Sequence, residues 1–394
     1  MRPPGVPVIG NVGRFSLSRR ALGACGLVLL GALSVSPSWG SGVRLASLGG
    51  ETRLLLDTTN LFTYPSLASR FPHVAVELFD DWAGVAYPLS PGHTVGVFFN
   101  RPTEPLDRLS DYLRQTGSAQ FRRLEPRPWV DVVYAVDLSP GLTLGVGGRL
   151  DYDVADTDSE ASSSAATLRF GVSLGEVLGE GDGKGVDATI GLRRERLKDT
   201  SAAGATIRET DGNGFDFELR GRVPLGDGTT LLPFVSYSSS AVALAPARRD
   251  LQSVMVGLGA NIEPAPGALA VAGIFASYTS LEEESVGVPR SEETALRAPV
   301  VVVASETQVG AMLFRLGIRH ESTLTKRELA DNTTAREFDS SLRVDLGLGL
   351  EFGPVLLDGL LEKDFLRDGP HVIGGSRHGG GIFSRVSLVY RFTN

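Results

Sequence analysis

The sequence predicts an all-β fold, a transmembrane antiparallel β-barrel, on three observations. Many segments alternate apolar and polar residues with a period of two, which is the pattern of a β-strand with one apolar face. Each segment is about ten residues long, which is roughly what a tilted strand needs to cross a bilayer. Short turns and longer polar connectors follow one another alternately, as they do in outer-membrane barrels.

The clearest pattern is that of a hairpin in the first half of the chain. In Trp129–Leu138 every even-numbered residue is apolar, whereas the odd-numbered residues are mixed. After the turn Ser139–Gly141, the even-numbered residues of Leu142–Val154 are apolar except Gly148, and the odd-numbered ones are Thr, Gly, Arg or Asp. Since successive side chains of a strand point to opposite faces, we expect one face in lipid and one in a wet lumen.

The same alternation continues to the C-terminus and produces 16 strand candidates, an even number as such barrels require. The first two form a hairpin, Val74–Leu89, whose strands are too short to span a bilayer. We therefore predict a barrel of 14 strands, with 16 as the alternative. The longer connectors, such as Thr279–Ala298 and Ser322–Ser340, are predicted to be polar external loops.

Charged residues are concentrated on the face predicted to line the lumen. They allow two interpretations: a water-filled pore with transverse fields, or a salt-bridged network that closes the barrel. Both signs are present in comparable numbers, which favours the network. The predicted lumen-facing charges are Asp131, Arg149, Asp151, Arg169, Asp187, Arg193, Glu218, Arg220, Arg315, Arg343 and Asp345.

Residues 1–40 are predicted to be a signal peptide. Several arginines precede an apolar run of about fifteen residues, Ala21–Val35, and small residues follow up to Gly40. This run is too short for a membrane-spanning helix, and the rest of the chain has no long apolar run. Cys25 is the only cysteine of the chain, so we expect the exported protein to have no disulfide and no cysteine-based metal site.

The C-terminus adds a further barrel feature. Leu388, Tyr390 and Phe392 occupy alternate positions close to the chain end, which resembles the C-terminal aromatic signal that outer-membrane barrels present to their assembly machinery. We therefore expect an outer-membrane location in a Gram-negative bacterium. The expected partners are that machinery, outer-membrane lipid and lipopolysaccharide. The basic run Arg193–Lys198 at a predicted external strand end either contacts anionic lipid head groups or is a solvated strand end.

Several chemistries are not expected. The net charge of -8 and the pI of about 5.3 argue against a nucleic-acid partner. The five histidines have no metal-ligand spacing. Gly171–Gly175 matches the G-x-S-x-G pattern of a nucleophile elbow, but it lies within an alternating strand, whereas the motif needs a strand, a sharp turn and a helix. We predict no enzyme, no metal and no cofactor.

The segment Asp57–Ala68 resembles the N-terminal signature of the FadL/OmpP1/TodX family of outer-membrane hydrophobe transporters. The resemblance implies that residues 41–72, here called the N-terminal segment, form a plug inside a barrel of residues 73–394. It also implies plug roles for Asp57, Asn60, Phe62 and Pro65. The alternative is a periplasmic segment that forms a leader strand with an ordinary proline turn.

The expected function follows from the barrel and from this resemblance. The leading expectation is that the chain passes a small, hydrophobic molecule across the outer membrane without energy input of its own, so a hydrophobic ligand is expected. One alternative is a structural or partner-docking barrel that transports nothing. Another is a general porin. The substrate and the oligomeric state are left open.

Overall fold

Sixteen antiparallel strands close into a barrel in the computed structural model of this chain. The structure describes residues 40–78, 81–101, 127–156, 160–175, 183–200, 206–226, 228–244, 247–285, 288–328, 333–361 and 383–392. All of the predicted signal peptide except Gly40 lies outside these residues. The strands are β1 (His73–Leu78), β2 (Trp82–Ser90), β3 (His93–Phe99), β4 (Arg127–Ser139), β5 (Leu142–Asp156), β6 (Glu160–Gly175), β7 (Gly185–Thr200), β8 (Thr206–Gly226), β9 (Thr229–Leu244), β10 (Ala247–Ala265), β11 (Ala268–Ser285), β12 (Val288–Val309), β13 (Met312–Glu328), β14 (Thr334–Phe352), β15 (Val355–Leu361) and β16 (Phe383–Arg391).

The closed all-β antiparallel barrel is confirmed, and the predicted count of 14 strands is wrong. The first hairpin belongs to the barrel wall, although β1 has only 6 residues and β2 has 9. β1 pairs with β2 on one side and with β16 on the other, from His73↔Arg391 to Leu78↔Val386. Without these two strands, β3 and β16 would each present an unpaired edge, which a barrel in lipid does not tolerate.

The wall has an apolar outer face and a polar inner face. In β5 the side chains of Leu144, Leu150 and Tyr152 are exposed on the outside, whereas Arg149 and Asp151 are buried on the inside. This arrangement is the reverse of that in a soluble barrel, whose large apolar residues are mostly inside. It is the arrangement of a barrel that meets lipid.

The two ends of the barrel differ, and one prediction about them is wrong. At one end the hairpins close through short turns with glycines such as Gly141 and Gly353, whose φ values of 80° and 59° suit glycine. At the other end, most residues of Thr279–Ala298 and Ser322–Ser340 continue the paired strands. Both faces are polar there, which removes the alternation in the sequence but not the backbone pairing.

The N-terminal segment folds into short helices: α1 (Gly42–Ser47) and three 3-10 helices, Thr52–Leu54, Thr58–Phe62 and Pro65–Arg70. α1 packs against β13–β16, the first 3-10 helix against β9–β11 and the third against β3–β6. Because these contacts come from strands on several sides of the barrel wall, the segment lies in the lumen. Among the described residues, no helix combines the length and the apolar character needed to cross a bilayer.

Local capping explains why these short helices form. The Oγ of Ser41 accepts a hydrogen bond from the backbone N–H of Arg44 and caps α1. Asp57 and Asn60 form a capping box at the start of the second 3-10 helix. Pro65 is at the first turn of the third, where the missing N–H of proline is not needed.

Candidate functional site

The candidate site is the buried interface between the N-terminal segment and the inner wall. One half of it is built around Arg44 of α1. The Nε and Nη2 of Arg44 donate to the two carboxylate oxygens of Glu306, at 2.8 and 2.9 Å. Its Nη1 donates to Asp57 Oδ2 at 2.8 Å. The segment is thus tied both to β12 and to itself by one fully buried guanidinium.

Glu306 is shared with a second arginine, which extends the network along the wall. Arg315 of β13 pairs with Glu306 and donates from Nη1 to Asp358 Oδ1 at 2.6 Å. Ser41 Oγ donates to the other oxygen of Asp358 at 2.7 Å. Glu306 is therefore shared between an arginine of the segment and an arginine of the wall.

A second network lies on the other side of the barrel, around Asp187 of β7. Arg220 donates from Nη2 to Asp187 at 2.9 Å, and from Nη1 to the backbone oxygen of Leu55 at 2.8 Å and to Asn60 Oδ1 at 3.1 Å. Ser173 donates to Asp187 at 2.9 Å, and its Oγ lies 2.8 Å from the Oγ of Ser66. This network ties two parts of the segment to β6–β8.

Two further arginines connect the segment with the wall. Arg53 of the segment donates to both carboxylate oxygens of Glu218, at 3.1 and 2.8 Å, and to Glu51. Arg169 of the wall donates to the backbone oxygen of Phe62 at 3.2 Å. Bidentate pairs between Arg and a carboxylate are strong and directional, so they also define the orientation of the segment.

Apolar contacts fill the space between these networks. The ring of Phe62 meets the rings of Phe98 and Trp82 edge-on, with centroids 4.8 and 6.1 Å apart, and the guanidinium of Arg101 lies 3.8 Å from its centre. A second apolar cluster joins three leucines of the segment to β9–β12. Its buried members are Leu48, Leu54, Leu55, Phe234, Val271, Phe275, Val300, Val302 and Ala304.

Glycines on the inner wall allow the segment to approach closely. A Cβ added to Gly145 would overlap the backbone of Pro65 and Ser66. A Cβ on Gly317 would meet the backbone of α1's last turn in the same way. Glycine at these strand positions therefore makes room for another backbone.

Tyr64 is deeply buried in this interface. Burial raises the pKa of its phenol, and the hydroxyl has no hydrogen-bond partner among the described residues. Its ring lies 4.7 Å from the guanidinium carbon of Arg220, a cation–π distance that contributes about 2 kcal/mol where both groups are desolvated.

The predicted plug residues all lie at this interface. Asp57 and Asn60 are buried and hold the capping box together, and both also contact arginines. Phe62 is at the centre of the aromatic contacts, and Pro65 lies against Gly171. The structure brings these four residues into the lumen, and their role as a plug stays a prediction.

The predicted lumen charges point inward and are paired. The pairs are Asp131–Arg101, Arg149–Asp151, Arg169–Asp216, Arg220–Asp187, Arg193–Glu195, Glu218–Arg53, Arg315–Glu306 and Arg343–Asp345. Sequence reasoning missed Arg44, Glu306 and Asp358. Glu306 and Asp358 lie on the inner face in stretches where the alternation is short or irregular, and Arg44 lies in a segment whose sequence has no periodic pattern.

Two other groups of residues from the sequence analysis are the C-terminal aromatic signal and the G-x-S-x-G match. Leu388 and Tyr390 are exposed on the outside of β16, and Phe392 stacks edge-on with Tyr390. Ser173, in the G-x-S-x-G match, lies in β6 and bonds to Asp187 and Ser66 rather than to a histidine. Within the described ranges, no group of three His, Asp or Glu side chains is placed to hold a metal ion.

Comparisons with known proteins add little to this geometry. No family model matches the sequence, and no curated protein matches it. Among solved structures, a mutant of the ferric enterobactin receptor PfeA from Pseudomonas aeruginosa is 10% identical over 75% of this chain and 62% of its own, with a TM-score of 0.35. The alcaligin outer membrane receptor FauA from Bordetella pertussis is 11% identical over 73% of this chain and 60% of its own, with a TM-score of 0.36.

A third structure is of more similar size. OmpT, an outer membrane protein of Vibrio cholerae, is 12% identical over 81% of this chain and 95% of its own, with a TM-score of 0.32. The chain spans only 62% and 60% of the two receptors. Likeness at this level carries no argument about substrate, and membership of the FadL/OmpP1/TodX family is not shown. The fold and the site define a closed 16-stranded barrel with an apolar outside and an occupied lumen.

Proposed function

We propose that this chain is an outer-membrane β-barrel of a Gram-negative bacterium, that its N-terminal segment is a plug, and that it passes small hydrophobic molecules across the membrane. The exposed apolar side chains on the outside of the strands support a location in lipid. Closure of the barrel supports it as well, because each strand that the structure describes pairs with a neighbour on both sides, and open sheet edges do not occur in hydrocarbon.

The single observation that carries the proposal is the docking of the segment to opposite sides of the lumen. Arg44 ties it to β12 through Glu306, and Arg220 ties it to β8. Glycines of the wall leave no room for a Cβ where the backbone of the segment passes. A general porin needs a water-filled channel through the barrel, so this geometry supports a plugged transporter better than a porin.

The apolar surfaces between plug and wall support a hydrophobic passenger. Leucines of the plug cover Phe234 and Phe275 of the wall, and Phe62 covers Phe98. Binding sites for small hydrophobic ligands are lined mainly by aliphatic and aromatic side chains with a few polar groups. In this proposal the plug shifts, and the passenger takes the place of the plug's apolar side chains.

One observation favours a second candidate, a partner-docking barrel that transports nothing. Strands such as β8, β12 and β14 have 21, 22 and 19 residues, about twice the length needed to cross a bilayer. Their outer ends carry polar side chains on both faces, which gives a paired, rigid surface outside the membrane. Such a surface is suited to binding a partner, and it is compatible with transport too.

A reversible covalent lock tests the transporter. The Oγ atoms of Ser66 in the plug and Ser173 in β6 are 2.8 Å apart, so Ser66→Cys with Ser173→Cys places two thiols within reach of a disulfide. Cys25 is the only natural cysteine and lies in the predicted signal peptide. The readout is uptake of N-phenyl-1-naphthylamine, a hydrophobic dye that the outer leaflet of intact cells excludes.

We expect cells that carry the locked double variant to take up the dye no faster than cells without the protein. Reduction of the disulfide should accelerate uptake, and the single variant Ser66→Cys should not respond to reductant. If dye uptake through the double variant is equal with the disulfide formed and broken, the plug does not gate a hydrophobic passenger, and the docking candidate takes precedence.

A further inference from the structure

The junction between the predicted signal peptide and the N-terminal segment is buried in the lumen. Gly40 is buried, and Ser41 is only 4% exposed. The hydroxyl of Thr58 donates a hydrogen bond to the backbone oxygen of Gly40. Ser41 Oγ donates to Asp358 Oδ2 at 2.7 Å. The peptide bond at which the predicted signal peptide ends is therefore enclosed by the barrel.

Three carboxylates lie around this peptide bond. A Cβ placed on Gly40 would overlap the carboxylate of Asp57. A Cβ placed on Gly42 would overlap the carboxylate oxygens of Glu77. Asp358 is the third, since it accepts the hydrogen bond described above. Asp57, Glu77 and Asp358 are 0%, 3% and 0% exposed, so bulk water does not screen their charges.

Two of these carboxylates belong to the wall and flank a buried hydroxyl. Asp358 of β15 and Glu77 of β1 are both opposite Ser387 of β16 in the strand register. Ser387 is 0% exposed, and its Oγ has no hydrogen-bond partner among the described residues. This row of the inner wall therefore presents acceptor oxygens at the place where the segment begins.

The buried charges of this region do not balance. One hydrogen-bonded network contains three buried carboxylates and two buried guanidiniums, those of Asp57, Glu306, Asp358, Arg44 and Arg315. This count, which does not include Glu77, leaves one negative charge in excess. His73 lies near Asp57, but histidine is mostly uncharged above pH 7. An uncompensated charge is costly to bury, so the network requires one more cation.

We propose that cleavage of the signal peptide supplies this cation as the α-ammonium group of Ser41. Hydrolysis of the Gly40–Ser41 bond by a signal peptidase consumes one water and leaves a carboxylate on Gly40 and an ammonium on Ser41. The ammonium has three N–H donors, which can be directed at Asp57 and Asp358. Thr58 becomes a further acceptor, because its hydroxyl loses the Gly40 oxygen when the signal peptide leaves.

The buried position of this bond also sets the order of export and docking. A peptidase cannot reach a bond enclosed by the barrel, so cleavage has to precede docking. The uncleaved chain has a neutral amide in place of the ammonium, and its docking would bury the excess negative charge. Docking is therefore favoured in the processed chain. This inference rests on the export that the proposed function requires, and it does not depend on transport.

The reactivity of the mature N-terminus tests the inference directly. Periodate oxidises an N-terminal serine, whose amino and hydroxyl groups are adjacent, to an aldehyde, and it leaves internal serines intact. We expect the protein purified from outer membranes to begin at Ser41, to resist periodate when folded and to react after denaturation. A synthetic peptide of residues 41–50 gives the rate for a free terminus. A mature N-terminus at another residue, or oxidation of the folded protein as fast as the peptide, would overturn the inference.

A second comparison isolates the charge from the hydroxyl. Periodate removes both groups of Ser41, whereas Ser41→Ala lacks only the hydroxyl and does not react. Both proteins are denatured, treated with periodate, refolded in detergent and digested with trypsin, which cuts the segment when it is undocked. Loss of hydrogen bonds to a charged group should make cleavage of the oxidised protein about ten- to a hundredfold faster than that of Ser41→Ala. Equal rates would contradict the inference, and the transport proposal would stand, because dye uptake is a separate readout.

Discussion

The docking of the N-terminal segment should respond strongly to Glu306→Gln. The substitution keeps the shape of the side chain and removes the charge that Arg44 and Arg315 share. Both guanidiniums are buried, with side-chain exposures of 1%, so neither can recover its loss by contact with water. Each guanidinium keeps one carboxylate, Asp57 for Arg44 and Asp358 for Arg315, so the substitution removes only the charge-assisted hydrogen bonds to Glu306, at a cost of about 1.5–3 kcal/mol.

That free energy can be read as a change in the docking equilibrium. Since 1.36 kcal/mol corresponds to a factor of ten, the undocked population should rise by about one to two orders of magnitude. Trypsin measures it, because Arg44, Arg53 and Arg70 all lie within the segment. When opening and closing are fast relative to cleavage, the cleavage rate follows the population of the open form.

Glu321→Gln is the matched control for this experiment. Glu321 is a glutamate of β13 that pairs with Arg319 at 3.1 Å, and the described residues show no contact between it and the segment. We expect trypsin to cut the segment of the Glu306 variant much faster than that of the control or of the natural protein. If all three are cut at the same rate, Glu306 does not hold the segment, and the reasoning from buried pairing is refuted.

Two further predictions concern the fit of the segment against the wall. Gly145→Ala should displace the backbone at Pro65 and weaken the free energy of docking by about 1–3 kcal/mol, which trypsin should report as faster cleavage of the segment. Gly148→Ala on the same strand should leave the cleavage rate unchanged. Equal rates for the two variants would show that close approach of the segment to Gly145 is not required. Burial raises the pKa of Tyr64 above the ordinary value of about 10, so docking should be fully stable below that pH and weaken as the pH rises above it. Between pH 10 and 11, the Tyr64→Phe variant should show the same tyrosinate absorbance at 295 nm as the natural protein. A loss of absorbance equal to one tyrosine would contradict the burial of Tyr64.

The barrel was predictable because alternation is a local property. Residues two apart in a strand such as β5 face the same environment, so the pattern is visible in a single stretch of sequence. The strand count was not predictable in the same way. β1 closes the sheet through its pairing with β16, which is more than 300 residues away in sequence. The short length of β1 by itself predicts that it does not belong to the membrane-spanning wall.

The interface between the N-terminal segment and the inner wall was harder to predict for a related reason. Arg44 and Glu306 are 262 positions apart, and neither has a neighbour in sequence that marks it as part of a pair. The charges on regular strands were found through their phase, as with Arg149 and Arg220. The segment has no period, because its short helices are defined by individual caps such as Ser41 and Asp57.

Single-channel conductance in a planar bilayer tests the central claim most directly, that a membrane-spanning barrel is closed by its own N-terminal segment. The account predicts almost no current through the intact chain, and a large, steady conductance once residues 41–72 are removed. A large, steady conductance through the intact chain would contradict it.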